Sequence, residues 1–576
     1  MKIYKHKLGK FLFSTFAVLG MVSCELNDLD INTDPNSASQ ASLNLLLTNA
    51  QFEGLNTFAG GLNNSTMGFQ AINTSSDGFY FTNSSWNGTW NYLYSGPLKD
   101  LEEMINAATE SGTNPKYLGI AQLMKAYYFT TMVDMWGDVP YSEAFKGNDP
   151  NGQNTQPVYD KGSDIYADAM RLIDEAIVNL DGNQAASVKG DIIYGGSTAK
   201  WKKMANSLKL KLLITTRNVQ SNKAAIQTLI SGGGLITSAA DDFVLRFGAL
   251  ANPDNRHPMY QSGYAGGEAG YSYFGHQFMY EMLKNKDPRT PFYFKRQTSV
   301  QLDPEDPSQK NTIPCSQRAD CTYGYFVASA LVTNGVFNKT PNSLSASEKA
   351  YLAGYFGRDR SDPSGIPNDN PLRTTVGAYP AAGLFDISAS TTGGNKFGKG
   401  DGIFPIITTW MVKFWALEAA ITEGVDISAL GASEADVLKS AVNDQITKVF
   451  SVGTAADPKA SSDPSAWSFP VAYKTKTDFL NAIVADYPST GTQTQRLGAV
   501  LKQAWFANFG NGFEGYNSFR RTGLPADIQS PLQISRQYAL TLPYAQDEIN
   551  LNTNTPDKVY DSPSAAVFWD TLKFQF

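Results

Sequence analysis

The stretch DKGSDIYADAMRLIDEAIVNL, which opens at Asp160, repeats apolar residues at steps of three and four: Ile165, Ala169, Leu172, Ile173, Ala176, Ile177 and Leu180. That period is the mark of an α-helix with one apolar face, which must be covered by another element. STAKWKKMANSLKLKLLITTRNV does the same with Trp201, Met204, Ala205, Leu208 and Leu212, while Lys200, Lys203 and Lys211 can face water and Ser197 or Thr198 could cap it. Further helices are expected near 43–57, 90–110, 116–136, 273–285, 408–423, 433–449, 475–486 and 494–508. Helices joined by short links pair as hairpins, so the fold class expected is all-α. YLGIAQLMKAYYF keeps fragments of a tetratricopeptide pattern in Tyr117, Leu118, Gly119, Ala126 and Phe129. Between the helices, 58–89, 248–272, 299–346 and 357–405 are rich in Gly, Asn, Ser and Pro. Loops of such length are uncommon unless functional or disordered, and the aromatics they carry favour function.

At the N-terminus, Lys2, Lys5, Lys7 and Lys10 precede an apolar run from Phe11 to Val22, and small Ser23 stands before Cys24. The run is shorter than the about 20 residues that cross a bilayer, so residues 1–23 read as an export signal. A cysteine at the cut site suggests a lipoprotein acylated on Cys24; the competing reading is a secreted chain with an incidental cysteine. Met21 stands where such signals usually carry Leu. Two or three acyl chains tether stably. The polar, acidic stretch 24–42 reads as a flexible leash, and 43–576 as a single body.

Charged residues make up 18% of the chain and aromatics 12%. The formal charge is −7, and the mature chain, without the signal's four lysines, is near −11. A nucleic-acid partner is disfavoured, because phosphate binding wants a basic face. Cys315 and Cys321, in CSQRADC, are spaced for a small disulfide clip in an oxidising compartment, with two free thiols as the alternative. Neither His257 nor His276 lies in a ligand-spaced motif, so no metal is expected. GNGFEG carries Gly510, Gly512 and Gly515 in a dinucleotide-loop spacing, but a helix precedes it where a strand is required. GGNKFGKG has Gly400 where a phosphate loop needs Ser or Thr. Asp359, Asp362, Asn368, Asp369 and Asn370 crowd one loop without the EF-hand spacing, and read as a solvated turn. No cofactor is implied. No nucleophile elbow appears, and the separation of a glycosidase carboxylate pair cannot be read from letters.

The segment LMKAYYFTTMVDMWGDVPYSEAF, from Leu123 to Phe145, resembles the SusD/RagB family of nutrient-binding outer-membrane lipoproteins. The Cys24 signal with its acidic follow-on, DPRTPFYF, GNGFEGYNSFRRTGLP and RQYALTLPYAQDEINLN agree in order along almost the whole chain. The resemblance is nearest to the SusD-like branch with the ending Arg520, Arg521, Thr522, Gly523 and Pro525. It implies tetratricopeptide-like hairpins decorated by loops, forming a lid on a SusC-like TonB-dependent transporter at the cell surface. It also implies capture of oligosaccharide, or peptide in some members, and no catalysis. A surface-anchored helical glycoside hydrolase is the reading from another class. The resemblance gives the family-like segments a scaffolding role: Trp136, Asp138 and Pro140 end a helix, and Arg520 and Arg521 pair with backbone or acids.

A sugar ring offers an apolar face and a rim of hydroxyls, so its site wants aromatic platforms flanked by amides or carboxylates. SSDGFYFTNSSWNGTWNYLY is the best match, with Asp77, Tyr80, Phe81, Trp86 and Asn87 as ligand-binding candidates and Trp86 foremost. Trp90, Tyr92 and Tyr94 read as core. A second cluster, made accessible by glycines, holds Tyr264, Tyr271 and Tyr273, of which Tyr271 and Tyr273 are candidates; Trp467 is a third.

Overall fold

A computed structural model of the chain describes residues 42–74, 78–147, 154–265, 273–297, 354–355, 357–361, 373–386, 398–467, 472–531 and 535–575. Helices dominate it. In the N-terminal half, α1 (Leu43–Thr57) runs into a π-helical turn (Phe58–Leu62) and α2 (Asn63–Phe69). Then come α3 (Asn87–Ser95), α4 (Pro97–Ser111), α5 (Pro115–Trp136), α6 (Gly162–Leu180), α7 (Thr198–Thr215) and α8 (Lys223–Ser231). The C-terminal half holds α9 (His276–Lys284), α10 (Thr409–Glu423), α11 (Glu434–Ala456), α12 (Lys476–Asp486), α13 (Gln493–Ala507), α14 (Gly512–Thr522) and α15 (Gln546–Leu551). Among the described residues the strands form four short antiparallel pairs: β1 (Asn73–Thr74) with β5 (Tyr273–Phe274), β2 (Val139–Pro140) with β3 (Tyr159–Asp160), β4 (Phe243–Arg246) with β8 (Ile403–Ile407), and β6 (Phe294–Lys295) with β7 (Thr375–Val376).

The hairpins follow from the periodicity. α6 buries Ile165, Ala169, Leu172, Ile173, Ala176 and Leu180 against α5, and α7 packs on its other side. α5 is apolar almost all round and is the central helix, with Pro115 in its first turn and Gly137 at φ +78° ending it. The α5–α6 approach is close enough that a Cβ on Gly119 would lie 2.9 Å from the Ala176 carbonyl oxygen. A second set stacks α10 on α11 and α13, with α12 on α11.

Several sequence expectations change. The helix expected over 90–110 is two, because Gly96 and Pro97 break it. The helix expected from residue 273 starts at His276, since Tyr273 and Phe274 are held in a strand. Residues 58–69, read as loop, form the π-helical turn and α2, and α11 runs seven residues past its expected end. Tyr92, assigned to the core, is exposed, whereas Tyr264, expected at the surface, is 4% exposed and donates to the Val376 carbonyl.

The segments of family-like sequence meet around Asp134. Its carboxylate accepts from Tyr166, Asn517 and Trp569, at 2.5, 2.6 and 3.0 Å. Arg520 donates to the carbonyls of Asp134 and Leu540 at 2.8 and 2.7 Å. Arg521 grips Glu418 through two nitrogens. The GNGFEG glycines serve packing: a Cβ on Gly512 would fall 2.3 Å from the Met67 backbone nitrogen in α2. The N-terminus of α14 is capped by Asn511, and its Gly512 N–H goes to Asn63. Its donors are taken, which removes the phosphate reading. No helix among the described residues is long and apolar enough to cross a membrane. Cys24, Cys315 and Cys321 lie outside the described residues, as do the signal and leash.

Candidate functional site

The π-helical turn after α1 begins the site. Its sequence, FAGGL, puts two glycines where an extra residue per turn must be absorbed, and Gly60 leaves helical geometry (φ −81°, ψ −125°). Beside it opens a cleft of about 300 Å³. Met67, Met259, Phe274 and Val376 form its apolar lining, and Asn64, Ser262, Thr374 and Thr375 contribute amides and hydroxyls. Asn73 holds Asn64 in place by donating to its carbonyl and side-chain oxygens, at 3.1 and 2.8 Å. Asn63 also lines the cleft, but its amide is occupied in tying α2 to Gly510 and Gly512. Thr375 Oγ1 is buried and has no hydrogen-bond partner among the described residues. No Asp, Glu, Lys, Arg or His is among the described lining residues.

The same π-helical turn faces the aromatic loop. A Cβ on Gly61 would touch the Trp86 ring at 3.8 Å. Trp86 is 6% exposed, wedged beside Phe81 at a ring distance of 5.7 Å. Phe81 is half-buried and also meets Phe69 and Tyr560. The Tyr560 hydroxyl locks this loop, donating to the Phe79 carbonyl and accepting from the Phe81 N–H. Tyr80, between those two anchors, is 53% exposed. It is the ring of this loop that presents a face to solvent. Asn87 is half-buried, and its side-chain oxygen accepts from Asp547 N in α15.

The other candidates are more enclosed. Tyr273 lies between the guanidinium groups of Arg358 and Arg373, at 3.9 and 4.0 Å from its ring centre. Trp467 is half-buried on Phe385 and Tyr473, and its indole N–H goes to the Ser461 carbonyl. Asp77 and Tyr271 lie outside the described residues. The structure thus packs Trp86, with Phe81 against it, on the turn that lines the cleft, leaves Tyr80 exposed in the same loop, and places Trp467 in a separate aromatic cluster. Asn64, Ser262 and Thr375 were not foreseen from the sequence. The run GGLNN was the available signal, two glycines that interrupt a helix followed by two amides.

His257 and His276 are fully buried, and burial holds them neutral, near 3 and 4. No group of three His, Cys, Asp or Glu among the described residues is placed to hold a metal ion.

Comparison with known proteins places this geometry. The SusD-like family, described as starch-binding and associating with the outer membrane, matches residues 35–330. The chain belongs to this family. SusD-like architecture also accounts for the rest of the chain. A SusD/RagB family protein from Bacteroides thetaiotaomicron is similar, with 19% identity, a TM-score of 0.63, and coverage of 92% of this chain and 99% of that one. A SusD homologue from Bacteroides fragilis shows 20% identity, a TM-score of 0.61, and 92% and 99% coverage. A chitin-binding SusD homologue from Flavobacterium johnsoniae shows 15% identity, a TM-score of 0.60, and 92% and 97% coverage. Identities this low speak to the fold. No curated protein matches the sequence.

Proposed function

We propose that this SusD-like protein is a cell-surface lipoprotein, held by acylated Cys24, that captures a neutral oligosaccharide and delivers it to a SusC-like TonB-dependent transporter. The observation that carries the ligand class is the cleft, whose described lining is amide, hydroxyl and apolar. A sugar ring lays its C–H face on Pro258 and Met259 and exchanges hydroxyl hydrogen bonds with Asn64 and Ser262. Tyr80 offers a second platform for a longer chain. The family's starch and the chitin of one structural neighbour are both uncharged polymers, in keeping with such a lining. The described lining is suited to holding and releasing a sugar, and binding is the role assigned.

Calorimetric titration with maltohexaose and chitohexaose tests this. Tyr80→Ala and Asn64→Ala are each expected to weaken binding of the preferred sugar roughly five- to twentyfold, the worth of one stacked ring or one hydrogen-bonded amide. Unchanged affinity in both variants would refute the site. Binding of peptides in place of either sugar would refute the ligand class.

A further inference from the structure

A second cleft of about 530 Å³ lies between α3, α4 and the segments around Pro140 and Pro157. Its chemistry differs from the first. Three rings form its walls: Trp90 and Tyr94, with centres 5.2 Å apart, and Phe145, 6.3 Å from Tyr94. Glu102, Glu103 and Glu548 line it against one ammonium group, Lys99. Lys125 engages Glu102 from outside the lining, at 2.7 Å. Glu103 and Glu548 form no ion pair with any described residue; Glu548 accepts from the Asn552 amide, at 2.8 Å, and from the Tyr159 hydroxyl. Burial raises the hydroxyl pKa values of Tyr94 and Tyr159, and Glu548 raises both further.

Side-chain amides pin the segments that adjoin this cleft at Pro157 and Glu548. Asn552 donates to the Pro157 carbonyl at 2.9 Å, and Asn554 to the Gln156 carbonyl at 2.7 Å, clipping the end of α15 to the segment before β3. These clipped segments leave Val158, Ile549 and Leu551 exposed, Leu551 by 74%. An aromatic-walled cleft with carboxylates outside any described ion pair, and with exposed aliphatic side chains on the segments that adjoin Pro157 and Glu548, has the anatomy of a protein-docking hot spot. Its charge selects the anchor. We infer that this cleft receives a lysine or arginine side chain of a partner protein, with the stem along the Tyr94 and Phe145 rings, the cationic head at Glu103 and Glu548, and flanking apolar residues of the partner on Ile549 and Leu551.

The test uses the full mature protein in detergent and two peptides, acetyl-Gly-Leu-Arg-Val-Gly-amide and the same peptide with uncharged citrulline in place of arginine. The arginine peptide is expected to bind, with the citrulline peptide weaker by about tenfold. Glu103→Gln with Glu548→Gln is expected to reduce arginine-peptide binding by a similar factor and to leave oligosaccharide binding unchanged, which shows that the fold and the first cleft are intact. Equal binding of the two peptides overturns the inference. So does wild-type binding by the double variant, absence of binding up to about 10 mM, or displacement of the peptide by a neutral oligosaccharide.

Discussion

Glu418 gives the sharpest test of how this fold is held together. Its carboxylate, 1% exposed, accepts from Arg217 Nε at 2.8 Å and from Arg521 Nε and Nη2 at 2.6 and 2.8 Å. Burial by itself would raise its pKa; the charge and hydrogen bonds of Arg521, then those of Arg217, outweigh burial and bring it from 4.5 to about 2. A depression of that size corresponds to about 3 kcal/mol of folding stability. The sign follows from linkage: the folded state binds its proton less readily than the unfolded chain. The contribution is therefore complete above about pH 4.5 and is lost as the pH falls toward 2. Glu418→Gln removes the charge and leaves two buried guanidinium groups without their carboxylate, at a cost of about 3–5 kcal/mol near neutral pH. Urea unfolding of both proteins at pH 7, 5 and 3 measures the difference. Other carboxylates titrate in both chains, so the gap isolates this group. The gap is expected to hold from pH 7 to 5 and to narrow below that. A cost under about 1 kcal/mol at pH 7, or a gap that does not change with pH, would refute the reasoning.

Three further outcomes follow from geometry. Gly119→Val is expected to destabilise by about 1–3 kcal/mol, read as a lowered thermal midpoint, because its side chain meets the α6 backbone. Trp86→Ala should cost about 3–5 kcal/mol in urea unfolding, as for a core ring, whereas Tyr80→Ala should cost under about 1 kcal/mol. Cys24→Ser is expected to shift the protein from the membrane fraction to the soluble fraction on cell fractionation, since one thiol carries the proposed anchor.

Periodicity made the scaffold legible. The stripe from Ile165 to Leu180 marks a helix whose apolar face needs a cover, and the structure packs it on α5. What stayed hidden depends on distant parts of the chain. Trp86 and Tyr80 are both aromatic residues in one Asn- and Ser-rich loop, and nothing in the letters says that Gly61 and Phe81 close over the first while Tyr560 pins the second outward. Residues 58–69 read as loop because Gly60 and Gly61 mask the helix on either side. Thr375 gives no local signal at all. Its place in the cleft is set by pairing with Lys295 across β6 and β7, and its unsatisfied hydroxyl appears only once its neighbours are known.

The most direct measurement is a crystal structure of the mature protein soaked with the hexasaccharide it binds more tightly. Sugar density is expected in the cleft beside Asn64 and Ser262, with a hydroxyl within hydrogen-bond distance of the Asn64 side chain or Ser262 Oγ and the chain continuing toward Tyr80. Density confined to another surface, with this cleft holding only water, would contradict the account.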